Sequence, residues 1–185
     1  MSVSVAFATG DSRCRTRPGA ALFVLVVALL GSLALPGAAR AAASGAAALD
    51  PEERAVCQQI NRYRAAKGLS ALKVSAKLTQ AAKWMSLDMA TNDFFDHADS
   101  LGRGTSARLR SFGVRDATAG ENIAAGMARA TATFDQWRND PPHRAGMLRA
   151  KFKVIGIGRA YAADSMLGWY WTTTFATATR GAVAC

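Results

Sequence analysis

The sequence predicts an α+β domain in which helices come first and strands later, and three observations carry that prediction. Apolar residues recur at helical spacing from Val56 to Phe112. Further on, Val154-Ile155-Gly156-Ile157-Gly158 is a short apolar run, and Trp169-x-Trp171-x-Thr173-x-Phe175 alternates with period two. A helix brings one face round every three or four residues and a strand every second one, so the change of period marks a change of element. Helical runs followed by strand runs give a sheet covered by helices.

Each element has its own signals. Asp50-Pro51-Glu52-Glu53 reads as a helix start, with an Asp cap, Pro at the first helical position and acids in the first turn. Val56, Ile60 and Tyr63 follow on one face, and Gly68 ends the helix. Ser75 caps a second helix with Leu78, Ala82, Met85 and Met89 on one face, and Trp84 and Leu87 extend its apolar surface. Thr105 or Ser106 opens a short third helix through Leu109 and Phe112, stopped by Gly113. A fourth covers residues 131–137 and ends before Pro141-Pro142. The two strand runs, separated by Ala162-Ala163-Asp164-Ser165, read as an antiparallel hairpin. Gly156 and Gly158 inside an apolar strand imply close packing, not a phosphate loop, since no helix follows them. Trp84, Trp137, Trp169 and Trp171 are assigned to the core.

Composition bounds the rest. The chain has 185 residues, 23 Lys+Arg against 13 Asp+Glu and a net charge of +10. That length suits one domain, and 50% hydrophobic with 19% charged residues excludes a disordered or collagen-like chain. Arg13, Arg15 and Arg17 precede an apolar stretch over residues 20–35, broken by Pro36-Gly37 and followed by Ala39-Arg40-Ala41. A positive flank, apolar centre and small-residue site in that order mark a secretory signal over residues 1–41. Residues 42–49 are then an Ala/Gly/Ser linker and 50–185 the domain. An uncleaved anchor is the rival reading. Cleavage yields a protein that is secreted, to a periplasm or the extracellular space, and not integral to the membrane. It stays basic, which suits anionic envelope polymers or lipid headgroups. Its cations are scattered and it is exported, so nucleic acid is not expected. Two cysteines remain after cleavage, Cys57 and Cys185. In an oxidising compartment they are expected to pair, the alternative being a buried thiol and a frayed terminal one.

The chemistry-bearing residues are few. The only histidines are His97 and His143, both expected in polar loops, and Glu121 stands in a small, apolar segment. His97, Asp99-Ser100-Leu101-Gly102, Arg108 and Gly120-Glu121-Asn122-Ile123-Ala124 occur in that order. Trp137-x-x-Asp140-Pro141-x-His143-Arg144, Ile155-Gly156-Ile157-Gly158 and Tyr170-Trp171…Phe175 complete the series. The series resembles the CAP superfamily of cysteine-rich secretory, antigen 5 and pathogenesis-related proteins, whose common domain is also called SCP, in its bacterial branch.

The resemblance implies a three-layer α-β-α sandwich around a central antiparallel sheet. It also implies a cleft with two histidines and two acids, here His97, Glu121, Asp140 and His143, in which the histidines can bind a divalent metal such as zinc. Asp140 stands where relatives carry Glu or Ser, and as a shorter carboxylate it has less reach. Pro142 replaces the usual Gly, and Gly146-Met147-Leu148 the usual Asn-Ile-Leu.

The residue types have a physical logic of their own. Neutral imidazoles bind zinc well, and a metal with open positions polarises a carbonyl or activates water. A carboxylate orients a histidine through its second ring nitrogen or serves as a general base. Three functions are compatible: a metal-capable cleft that binds a lipid, protein or other envelope component; a weak metal-dependent hydrolase of peptide or cell-wall bonds; or a protein-interaction scaffold whose four polar residues are a structural network. No His-Glu-x-x-His or Gly-x-Ser-x-Gly signature is present.

Overall fold

Asp50 starts the first helix through a reciprocal pair of bonds. Its carboxylate accepts from Glu53 N at 2.8 Å, and the Glu53 carboxylate accepts from Asp50 N at 2.8 Å. A computed structural model shows this helix as α1, Pro51–Ala65. It describes residues 48–115, 117–178 and 180–185, so the export signal and cleavage site expected from the sequence lie outside the described residues. Strand β1, Lys73–Val74, leads into Ser75, which caps α2, Ala76–Asn92. Asp93 closes α2 in the left-handed conformation at φ 49°. Then follow α3, Thr105–Ser111; β2, Ala119–Ala125; α4, Ala130–Asn139; α5, Pro141–Met147; β3, Val154–Tyr161; and β4, Trp169–Ala176. Among the described residues, no helix is long and apolar enough to cross a membrane.

The sheet runs β1-β3-β4-β2. The expected hairpin is present, with β3 and β4 antiparallel and Ile157 opposite Thr173. β2 is antiparallel to β4, and only the short β1 pairs in parallel, with β3. Period-two alternation sends the two faces to different helices. Ile155, Ile157, Trp171 and Phe175 join Val56, Ile60, Phe134, Trp137 and Met147, so α1, α4 and α5 cover one face. On the other face, Val154, Ala176, Ile123 and Tyr170 meet Leu78, Ala81, Met85 and Met89 of α2 and Leu109 of α3. The result is the α-β-α sandwich.

The strand glycines set the distance between layers. A Cβ on Gly156 would lie 2.1 Å from the Leu78 backbone, and one on Gly158 2.3 Å from Lys83 N. Helix α2 therefore lies directly on β3, which is the close packing that the glycines in that run implied.

Several sequence expectations need correction. Pro141-Pro142 ends α4 but also begins α5, because Pro suits the first helical turn and the Asp140 carboxylate accepts from His143 N at 3.2 Å. His143 is thus helical rather than in a loop. β2 carries no strand signal in its small residues; its backbone pairs because β4 needs a neighbour. Leu87 faces outward, 57% exposed. Trp137 and Trp171 are buried, but Trp84 and Trp169 are half-buried, each beneath an arginine, Arg103 and Arg159.

Two features tie distant segments together. Arg64 is fully buried, has no carboxylate partner among the described residues, and donates to the carbonyls of Ser70, Met147, Arg149 and Phe152. Cys57 in α1 and Cys185 form a disulfide across a sequence separation of 128, with Cα atoms 6.1 Å apart. Val74 and Val183 add reciprocal backbone bonds, so the C-terminal residues are held against β1.

Candidate functional site

Strand β2 is the spine of the site. Neighbouring residues on a strand point to opposite faces, so Glu121 turns toward α3 and Asn122 toward α5. The Glu121 side chain is 1% exposed and accepts from three groups. His97 Nδ1 lies 3.0 Å from Oε1, Thr105 Oγ1 donates to the same oxygen at 3.2 Å, and Arg108 Nη2 pairs with Oε2. Thr105 and Arg108 are one turn apart on α3, which puts both on the face toward β2.

Arg108 is fully buried and joins Glu121 to a second acid. Its Nη1 lies 3.7 Å from Asp99 Oδ2 and donates to the carbonyls of His97 and Arg103 at 3.4 and 3.3 Å. Asp99 also accepts from Arg103 Nε at 2.9 Å and from the amides of Leu101 and Arg103. Burial pushes the Asp99 carboxyl up, but the Arg103 bonds and charge outweigh it and hold it below its usual value. The Asp99-Ser100-Leu101-Gly102 turn is therefore structural: it fixes the loop that presents His97. Arg108 and Thr105 are site residues beyond the four candidates expected from the sequence. The available signal was that a buried Glu requires a cation, and Arg108 lies on the nearest amphipathic helix.

Across the strand, Asn122 Nδ2 donates to the His143 carbonyl at 2.9 Å. The His143 ring presents Nδ1 2.6 Å from Asp140 Oδ2. That contact lies off the N–H direction, so it is an electrostatic contact rather than a directed hydrogen bond, and Nδ1 has no other partner among the described residues. The four candidates therefore stand as two His–carboxylate pairs, one on each side of β2. Among the described residues, no group of three or more His, Cys, Asp or Glu is placed to hold one metal ion. What a metal would find is two imidazoles, each with Nδ1 beside a carboxylate, leaving Nε2 as the ligand atom.

His97 is the exposed end of the buried network, its side chain 53% exposed. The hydrogen bond to Glu121 raises its pKa above the ordinary 6.5, with desolvation opposing and the Glu121 and Asp96 charges assisting. Pairing therefore favours the fold fully below His97's unfolded value and is lost as pH rises through the higher folded value. An NMR titration is expected to give His97 a midpoint above 6.5, and Glu121→Gln to bring it down. A midpoint unmoved by that substitution would contradict the pairing.

The family model described as the cysteine-rich secretory protein family, CAP, matches residues 58–175. YkwD of Bacillus subtilis is 32% identical over 123 residues, covering 66% of this chain and 46% of the relative. The membrane protein YlbC of the same organism is 28% identical over 106 residues, covering 57% of this chain and 31% of the relative. The chain thus spans less than half the length of these curated relatives. Among solved structures, an extracellular SCP-domain protein from Bacillus anthracis is similar at 28% identity and a TM-score of 0.57 over 69% of this chain and 44% of that one. An outer surface protein of Borrelia burgdorferi shares the fold at 19% identity, with a TM-score of 0.62 over 71% of this chain and 97% of that one.

Proposed function

The chain belongs to the CAP family, and on that premise we propose that it is an exported binding protein whose site at β2 holds a divalent metal such as zinc through His97 and His143. Export is supported by the disulfide, which persists in oxidising compartments, and by the extracellular relative from Bacillus anthracis. The observation that carries the metal reading is the placing of each histidine's Nδ1 beside a carboxylate, through a hydrogen bond at His97 and through charge alone at His143, which leaves Nε2 of each ring as the ligand atom. Two protein ligands leave the remaining positions to water or to an incoming group, which suits capture of an envelope component, a lipid or a protein.

Calorimetry with Zn²⁺ on the exported protein tests the reading. One zinc per chain is expected, with His97→Ala and His143→Ala each abolishing binding. Asp140→Ala is expected to weaken it by about 10- to 100-fold, as loss of an orienting partner does. Wild-type affinity retained in either histidine variant, with the fold intact by circular dichroism, would leave the four residues a structural network.

A further inference from the structure

The outer edge of β2 is open over part of its length, and its chemistry defines an occupant. Thr177 N donates to Thr118 O and Gly126 N to Trp169 O, so the even-numbered residues of this stretch pair with β4. In an antiparallel strand the odd-numbered residues then turn their N–H and C=O outward. At Ile123 the outward carbonyl is covered, accepting from Trp137 Nε1 at 2.9 Å. At Ala119 and Glu121, among the described residues, the outward N–H and C=O groups have no partner. Proteins usually cover or charge such an edge, because it is a template for another strand.

A hollow lies beside this open stretch on each face of the sheet. One, of about 430 Å³, includes Leu109, Arg110, Val114 and Ala119. The other, of about 460 Å³, includes Gly120, Asn122, Arg149 and Phe152. A strand added along Ala119–Glu121 sends its side chains alternately into the two hollows. Each hollow is apolar in part and carries one arginine. Glu121 is the one acid among their lining residues, and its carboxylate is committed to Arg108, Thr105 and His97.

We propose that the open edge of β2 at Ala119 and Glu121, flanked by the Arg110 and Arg149 hollows, binds an extended acidic segment of a partner protein by strand addition. Backbone bonds to the edge supply affinity, and the hollows select side chains. The arginines favour Glu or Asp on the incoming strand, and Leu109, Val114 and Phe152 favour apolar residues between them. Neither hollow includes His97 or His143, and although Glu121 lines one of them the strand bonds to its backbone, so the interaction requires no metal.

The test is fluorescence anisotropy on the exported, disulfide-bonded protein in EDTA, with a labelled peptide alternating Val and Glu. Saturable binding is expected, about ten-fold or more tighter than for the Val/Lys counterpart. N-methylation of alternate peptide nitrogens, which blocks strand pairing and leaves the protein untouched, is expected to weaken binding about ten-fold or more in one of the two phases of the alternation. Ala119→Pro removes an outward N–H without touching the ladder to β4, and is expected to weaken binding with the thermal midpoint retained. Equal binding of both N-methylated peptides overturns strand addition, as does absence of saturable binding in EDTA. Equal binding of the lysine peptide overturns the acidic occupant. A dimer in sedimentation velocity that excludes the peptide would assign the edge to a second copy of this chain instead.

Discussion

Replacing Cys57 and Cys185 by serine lowers the thermal midpoint of the disulfide-bonded protein by about 10 °C or more. The bond closes a loop of 128 residues, nearly the whole domain, and the chain-entropy model gives about 5 kcal/mol for a loop of that size. A domain of this length loses roughly 3 °C per kcal/mol. The bond also anchors the residues that pair with β1, where Val74 and Val183 exchange backbone bonds of 2.6 and 2.9 Å. Asn61 Nδ2 lies 3.1 Å from Cys185 Sγ, so this end of the chain docks on α1. Hydrogen exchange at Val183 is therefore expected to accelerate in the double variant. A midpoint within about 2 °C of wild type would mean that the noncovalent contacts alone fix the C-terminus.

Arg108→Met costs about 3–5 kcal/mol, the usual penalty for leaving a buried carboxylate without its partner. The Glu121 side chain is 1% exposed, and the buried guanidinium of Arg108 is paired with it. Arg108→Lys does not restore the loss, because a point charge cannot serve Glu121, Asp99 and two backbone carbonyls at once. Adding Glu121→Met to Arg108→Met is expected to recover most of the stability, since an apolar pair of similar volume needs no solvation. Denaturant unfolding of the two single variants and the double variant measures the coupling. Additive losses would show that Arg108 acts through packing alone.

Much of the fold was legible because its signals are local. The Asp50-Pro51-Glu52-Glu53 box, the Ser75 cap and the alternation from Trp169 to Phe175 each specify an element within a few residues. Gly156 and Gly158 announced close packing, and the structure supplies its partner, α2, whose backbone leaves no room for a Cβ at either position. β2 was not legible: Ala119-Gly120-Glu121-Asn122-Ile123 has little strand propensity, and its conformation comes from pairing with β4, distant in sequence. The turn of α5 was hidden for a different reason, since Pro-Pro signals the end of one helix and the start of another equally well.

The site divides along the same line. The chain's only two histidines and the Glu in an apolar segment marked His97, His143 and Glu121 in the sequence. Their grouping depends on strand parity. Because β2 carries Glu121 and Asn122 on opposite faces, the candidates form two pairs flanking its edge. The need for a cation beside a buried Glu pointed toward Arg108, but its pairing and that of Thr105 depend on α3 lying on β2.

X-ray absorption spectroscopy of the zinc-loaded protein reads the ligand atoms of the proposed site themselves. Two imidazole nitrogens are expected at about 2.0–2.1 Å, with oxygen completing the sphere. A zinc sphere without imidazole, or a protein that takes up no zinc at neutral pH, would contradict that site.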